Sequence, residues 1–301
     1  MFIYYYQTFG ETIKLSGIMK PRRISILLVL LSWIWAAGGC VSHGRIGVID
    51  IDISGRARPS PGDKLTLISW NIAKNVTDNP EIMWLVDDHG PDILFIQEGI
   101  STTCEVFGPS FHQCLFAPSW KKTDPDGNTG VQMLSRYHLS DPVHIPAPCL
   151  EGFWFTPKAS MITTLDLADG RRLMLINVHM LNFVPLGRLE AYLEAVYAHA
   201  GKHDGPMIAG GDFNTWNSPR LKAVQQFAAK LGMVEALAYH ETGGTPSAWF
   251  FVFKPFMQLD LDAPMDRWFC RGVEVLSCRR LSGFVSSDHV PVLLEVRMLP
   301  P

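Results

Sequence analysis

Between Leu65 and Val296 the chain is a succession of short apolar runs separated by turn-forming residues. Leu65–Trp70, Ile93–Gln97, Val131–Leu134, Ala159–Leu167, Leu173–Val178, Met207–Ala209, Arg267–Cys270, Val273–Leu276 and Val290–Val296 have the length and the boundaries of strands. Several are continuous rather than alternating, as expected of strands covered on both faces. Three other stretches repeat at helical spacing. Asn79 followed by Pro80 opens the first, with Ile82, Leu85 and Val86 on one face and Gly90 as the stop. Leu189, Tyr192, Leu193, Val196, Tyr197 and Ala200 form the stripe of the second, ended by Gly201. Ser218-Pro219 starts the third, with Leu221, Val224, Phe227, Ala228 and Leu231 inward and Gly232 at its end. Many strands with a few interspersed helices predict layered sheets rather than a bundle. No linker divides residues 64–301, so they read as one domain.

The N-terminal region has a different pattern. Met19-Lys20-Pro21-Arg22-Arg23 is followed by an uncharged run from Ile24 to Ala37 and then by Gly38, Gly39 and Cys40. A basic start, a short apolar stretch and small residues are the parts of a secretory signal. The run is shorter than the roughly 18 residues of a spanning helix. An uncleaved membrane anchor is the competing reading. Ala37-Gly38-Gly39-Cys40 is similar to a bacterial lipoprotein box, although Leu or Val is usual where Ala37 stands. Residues 1–40 are therefore expected to be a signal peptide with lipidation at Cys40, and residues 41–63, which contain SGRARPSPGD, a tether. The expected location is outside the cytoplasm, in the periplasm or at the cell surface, on a membrane.

Composition narrows the function. Of 301 residues, 26 are basic and 29 acidic, and aromatic residues make up 11%, which excludes a disordered chain. Setting aside residues 1–40, with Lys14, Lys20, Arg22 and Arg23 against Glu11, leaves 22 basic and 28 acidic residues, a net charge of −6. No run of Lys or Arg is longer than two, which argues against a dedicated DNA-binding protein but not against an enzyme that touches a few phosphates. Five cysteines follow Cys40. Cys104 with Cys114, and Cys270 with Cys278, are the pairs closest in sequence, and Cys149 is the odd one; the connectivity stays open. No CxxC occurs, so nothing suggests a zinc ribbon or a redox dithiol.

The candidate chemistry sits at the ends of the apolar runs. Asn71 follows LISW, Glu98 follows ILFIQ, His179 follows LMLINV, and Asp212 and Asn214 follow MIAGG. Asp266 opens the RWFC strand, and Asp288-His289 precede VPVLLEV. Singly, each has a plainer explanation, as a turn cap or a core histidine. Together they occupy the places where strands deliver functional side chains. Glu98 and Asp288 offer hard oxygen ligands suited to Mg²⁺ or Mn²⁺. His179 and His289 can donate to a phosphoryl oxygen or move a proton. Asp212 can hold and deprotonate a water that Asn214 orients. These are the parts of a metal-assisted phosphoester hydrolysis.

Taken in order, SWNIAKN, PDILFIQEG, TGVQMLSRY, INVHMLNF, GGDFNTWNS, MDRWFCRGVEV and SSDHVPV resemble the endonuclease/exonuclease/phosphatase superfamily, which includes DNase I-like nucleases, neutral sphingomyelinases and inositol polyphosphate 5-phosphatases. The likeness runs from about Leu65 to Val296 and is nearest to a poorly characterised bacterial subgroup. It implies an α/β (α+β) four-layer sandwich, two mixed β-sheets packed face to face and flanked by helices. It implies metal-site roles for Asn71, Glu98 and Asp288, with Glu98 the direct ligand, and Mg²⁺ or Mn²⁺ as the cofactor. The catalytic set it implies is His179, Asp212, Asn214, Asp266 and His289, with Asp266 behind His289 to fix its tautomer. The sequence departs from the family where Arg267-Trp268 follow Asp266, and Asp260 and Asp262 lie just upstream as alternative partners. Asp266 is preferred because Arg271-Gly272 follow at the family spacing. Lys74 and Lys158 are candidates for phosphate contact, with a solvated lysine as the alternative. Asp124 and Asp126 lack the glutamate that would complete a calcium loop.

The expected function is hydrolysis of a phosphodiester or phosphomonoester by an activated water. The partner would be a nucleic acid, a phospholipid or a small phosphodiester, and the protein a monomer tied to a membrane by lipid. The alternative is a non-catalytic, lipid-anchored binding protein on the same fold. A tether and an acidic domain favour a phospholipid or small phosphodiester over duplex DNA.

Overall fold

The strand runs alternate between two destinations, and this alternation builds the molecule. In a computed structural model, residues 47–53, 59–74, 80–107, 110–120, 129–151, 156–238 and 264–300 are described, together with a short pairing of Gln7–Thr8 with Glu11–Thr12. The main strands are β1 (Ile49–Asp52), β2 (Lys64–Asn71), β3 (Ile93–Ile100), β4 (Gln113–Trp120), β5 (Thr129–Ser135), β6 (Leu139–Pro146) and β7 (Ala159–Asp166). They continue as β8 (Arg172–His179), β9 (Met207–Asp212), β10 (Val234–Ala236), β11 (Asp266–Arg271), β12 (Val273–Arg280) and β13 (Val292–Met298). The helices are α1 (Pro80–His89), α2 (Thr103–Phe107), α3 (Leu186–Ala200) and α4 (Ser218–Lys230).

One sheet has six strands in the order β10-β11-β9-β8-β7-β6, the other seven in the order β12-β13-β2-β3-β5-β4-β1. Both are mixed. Each has one parallel pair, β8 with β9 and β2 with β3, among antiparallel neighbours. Leu65, Leu67, Ile93 and Phe95 of the seven-stranded sheet share one core with Leu173, Leu175, Ile208 and Trp268 of the six-stranded sheet, so these faces are packed together. The intervening residues point outward. Ile68, Trp70, Leu94 and Ile96 pack with Leu85, Val86 and Phe107 of α1 and α2. Met174, Ile176 and Val178 pack with Leu189, Val196, Val224 and Phe227 of α3 and α4. The result is the four-layer sandwich, helix, sheet, sheet, helix. Continuous apolar runs arise because both faces of each sheet are covered.

Trp268 ties the two sheets. Its ring centroid is 5.1 Å from that of Phe95, and its Nε1–H donates to Val292 O at 3.1 Å. The indole lies on Gly210, where any Cβ would meet ring carbons at 2.2 Å. Gly211, at φ +134, lies against Val178 O, so the double glycine of GGDFN is required by packing and by backbone together.

Several expectations are amended. Ile49–Asp52, within the stretch read as a tether, is an edge strand paired with β4, and Asp50 accepts a hydrogen bond from Gln113 Nε2 at 2.9 Å. Strands β4, β6 and β10 and the short helix α2 were missed, because prolines, polar residues and short length hide them. The third helix starts at Ser218 as expected, and Asn217 caps it, its side chain accepting from Arg220 N. Cys104 and Cys114 form a disulfide, whereas Cys270 and Cys278 are free and buried, as is Cys149. Cys270 belongs to the six-stranded sheet and Cys278 to the seven-stranded one, where its thiol donates to Ala236 O at 3.5 Å. Residues 13–46, the expected signal and lipidation site, lie outside the described residues, as do Asp124, Asp126, Asp260 and Asp262. No helix among the described residues is long and apolar enough to cross a membrane.

Candidate active site

The inner core changes character along the strands. On β2 the alternate positions Leu65 and Leu67 are followed by Ser69 and Asn71; on β8 Leu173 and Leu175 are followed by Asn177 and His179. The apolar half of the inter-sheet layer therefore passes into a polar half. There Gln97 Nε2 donates to Asn177 Oδ1 at 2.7 Å, across the two sheets, and Asn177 Nδ2 donates to Gln132 O at 2.8 Å. The site begins beyond this buried network, at the C-terminal ends of the two parallel pairs.

Register brings the residues together. His179 stands beside Asp212 on parallel strands, and Asp212 stands opposite Asp266 on antiparallel ones. From the other sheet, Asn71 Nδ2 donates to Asp212 Oδ2 at 3.3 Å. Asn214, in a left-handed conformation at φ 51, donates through Nδ2 to Met180 O at 2.9 Å and approaches Asp212 Oδ2 at 3.3 Å. His289 arrives on the loop before β13, held by Trp70 Nε1–H on its carbonyl at 3.0 Å and by Ser287 Oγ on its N–H at 3.1 Å. Its Nδ1 is 2.7 Å from Asp266 Oδ2, and its Nε2 is 3.8 Å from Asp212 Oδ2. All six of these side chains, Asn71, His179, Asp212, Asn214, Asp266 and His289, are buried.

Glu98 reaches the site by a different device. Strand parity would place it opposite to Gln97, but the β3–β5 pairing is irregular between Ile96 and Gly99, and Glu98 takes φ 54. This break in the ladder re-aims the carboxylate inward. Its Oε1 is 3.2 Å from Lys158 Nζ and 3.9 Å from His179 Nε2, and its Oε2 is 3.1 Å from Lys74 Nζ. Asp288 alone of the expected catalytic and metal-site residues is exposed, on the loop beside His289.

The neighbours set the charges. Burial and then the Lys158 ammonium push His179 well below its usual range, so its ring is neutral at pH 7. Burial opposes the charge on His289, but Asp266 and then Asp212 outweigh it and push it up to about 10. Burial raises Asp212 to about 6. Burial would also raise Glu98, yet the ammonium groups of Lys158 and Lys74 hold its carboxyl well below the usual range. Burial disfavours the charge on Lys158, but Glu151 and Glu98 reverse the effect, and the ammonium is retained.

A divalent cation fits this donor set. Asp212, Asp266 and His289 offer ligand atoms within 4.8 Å of one another, but the charge held on His289 withdraws its nitrogen, so carboxylate oxygens are what the site presents to a cation. Asp266 Oδ1 is buried without a hydrogen-bond partner among the described residues, a lone pair left for something else. With the Glu98 carboxylate beside His179, the carboxylate oxygens are those preferred by Mg²⁺ or Mn²⁺.

Residues 68–289 match the sequence profile of the Endonuclease/Exonuclease/phosphatase family. The chain belongs to that family. A UPF0294 protein of Yersinia enterocolitica is 31% identical over 242 residues, covering 77% of this chain and 83% of that protein. Among solved structures, an endonuclease/exonuclease/phosphatase protein from Beutenbergia cavernae superposes with a TM-score of 0.59 at 16% identity, over 79% of this chain and 72% of that one. The human Nocturnin catalytic domain, solved with a bound sulfate anion, gives 0.56 at 17% identity, over 84% of this chain and 98% of that one. These two likenesses concern the fold.

Sequence reasoning missed the supports around the site. Glu151, which faces Lys158 at 3.6 Å, lies in an irregular stretch with no pattern to flag it. Arg220 is fully buried; its Nε donates to Asn214 O at 2.6 Å and its guanidinium also bonds Leu181 O. Glu81, at the start of α1, accepts from Val285 N at 3.0 Å and Ser286 Oγ at 2.6 Å, which anchors the loop carrying His289. Only the position of Glu81 in a first helical turn was available as a signal.

Proposed function

We propose that this protein hydrolyses a phosphoester, in the first place a phosphodiester, with a divalent cation and an activated water. The observation that carries the reading is the convergence on Asp212 Oδ2 of two buried imidazoles, His179 at 3.5 Å and His289 at 3.8 Å. Asp212, raised to about 6, is suited to take a proton from water near neutral pH. His289, held charged by Asp266, presents a positive Nε2 toward the charge that develops on a phosphoryl group. Neutral His179 and Asn214 steady the same group. Glu98, Asn71 and, from the loop beside His289, Asp288 would hold the cation, which when bound polarises a phosphoryl oxygen.

The substrate reading is a phospholipid or small phosphodiester before duplex DNA, with the protein exported and tethered through lipid on Cys40. The net charge of −6 beyond residue 40 and the basic-apolar-small pattern of residues 19–40 support it. A panel of single- and double-stranded DNA, RNA, sphingomyelin and other phospholipids, inositol phosphates and simple phosphodiesters, each with Mg²⁺, Mn²⁺ or EDTA, tests the activity. EDTA-sensitive release from one class is the expected result. Binding without turnover across the panel would favour a non-catalytic role. Mass spectrometry of the native N-terminus should find an acylated cysteine, and an intact Met1 or Met19 would refute the anchor.

A further inference from the structure

Two lysines left unused by this scheme converge on Glu98, one at each oxygen. Lys158 Nζ lies 3.2 Å from Oε1 and Lys74 Nζ 3.1 Å from Oε2. The turn that brings Lys74 there places both Ala73 and Lys74 in the left-handed region, at φ 49 and 64, which is uncommon for residues with a Cβ. The two lysines are held very differently. The Lys74 side chain is 54% exposed, so water receives its ammonium if Glu98 releases it. Lys158 is buried and has a second carboxylate behind it, Glu151 Oε2 at 3.6 Å. Glu151 is fixed in turn by Thr156 Oγ1 at 2.9 Å and by the Asn182 N–H.

A buried ammonium needs a partner, and Glu151 supplies one that does not depend on Glu98. A divalent cation on Glu98 sets a like charge against both ammonium groups. Lys74 can swing into solvent. Lys158 is retained by Glu151, with one N–H freed from Glu98, on the side of Glu98 that also faces His179 Nε2 at 3.9 Å. An ammonium fixed there beside a neutral imidazole is matched by an anionic oxygen.

Resting on the phosphoester reading, we propose that Lys158 is a phosphoryl-binding residue. Seated on Glu151, its ammonium exchanges Glu98 for a nonbridging phosphoryl oxygen when Glu98 takes a divalent cation, while Lys74 is the counter-ion that leaves.

Calorimetric titration of the full chain with Mg²⁺ alone, and with inorganic phosphate in the presence and absence of Mg²⁺, tests this. Wild type should bind phosphate more tightly with Mg²⁺. Lys158→Met should lose about 10- to 100-fold in phosphate affinity, the scale of one hydrogen bond to a charged group, and should keep or tighten its hold on Mg²⁺. Lys158→Met strands the Glu151 carboxylate, so the double variant Lys158→Met/Glu151→Gln is measured beside it and should show the same phosphate loss with a native circular-dichroism spectrum. Lys74→Met should tighten Mg²⁺ and leave phosphate binding within about twofold, since an exposed ion pair contributes little. Phosphate affinity in the double variant within twofold of wild type, or no phosphate binding by wild type with Mg²⁺, would overturn the proposal. Failure of the hydrolytic reading looks different: wild type then turns over no phosphoester, whether or not phosphate binding depends on Lys158.

Discussion

His179 and His289 flank one oxygen of Asp212 at nearly equal distance, yet the first ring is neutral and the second charged. His179 comes from the middle of the six-stranded sheet and meets a buried lysine; His289 comes from the loop before β13 and meets Asp266. Burial works against charge in both. The balance differs: at His179 burial is reinforced by Lys158 and outweighs the pull of Glu98, whereas at His289 Asp266 and Asp212 together outweigh burial. The lesson is that the pair is defined by its supports, Lys158 and Asp266, as much as by the rings. Two carboxylates complete the contrast, with Glu98 kept ionised by lysines and Asp212 raised by burial.

The comparison can be broken at several points. The largest effect is expected from His289→Ala, which removes the charged ring and should lower turnover on a confirmed phosphoester about 10²- to 10⁴-fold; an unchanged kcat would mean that the family mechanism does not operate. Asp266→Asn keeps the shape but not the charge, and a loss of about 10- to 100-fold is expected, the range seen when an orienting partner is removed. The same change should bring the His289 titration, followed by imidazole NMR in the metal-free protein, down from about 10. The sign for stability follows. A raised histidine contributes stability in full below its unfolded value, roughly 6.5, and the contribution is lost as pH rises through about 10. Chemical denaturation should show that alkaline decline in the metal-free wild type and not in Asp266→Asn.

Smaller effects sharpen the contrast. Lys158→Met should let His179 titrate at higher pH, because the largest opposing charge is gone; no movement of its resonances would mean that burial alone keeps it neutral. Glu81→Gln should destabilise by about 1–3 kcal/mol through weakened hydrogen bonds to the His289 loop, read as a shift in denaturation midpoint. Glu81 is held below its usual value: burial raises it, but bonds from Ser286 and Val285 prevail. Its contribution is therefore present above the unfolded carboxyl value and lost as pH falls through the folded one, so the variant should show a flatter acid limb. Lys230→Ala breaks the exposed pair with Glu194 at 2.9 Å and should leave the denaturation midpoint almost unchanged.

Much of this was legible in the sequence, for physical reasons. Nine strands and three helices announce themselves because burial on both faces demands continuous apolar runs and helical stripes. The ends of those runs mark Asn71, His179, Asp212 and Asp266, since polar residues at core-facing positions have to be there for something. What stayed hidden obeys other rules. Strand β1, with its exposed IDID, has no core to show. The inward turn of Glu98 depends on a break in the ladder, and the hold of Glu151 on Lys158 on residues whose spacing carries no period. That Cys104 and Cys114 are bonded while Cys270 and Cys278 stay free could not be read from sequence separations of similar length.

The bond from Trp70 to the carbonyl of His289 spans 219 positions of the chain, and it has a consequence for how the protein is made. At ribosomal rates of about 5–20 residues per second, Glu98 leaves the peptidyl-transferase centre on the order of 10–40 s before His289. Throughout that interval β2 lacks β13, its neighbour on one side, and Asp266, made only 23 positions before His289, is absent for most of it. A chain released early, or clipped within the loop before β13, carries most of the carboxylates and none of the finished site. Competence is therefore acquired in one late step, when the last strand docks.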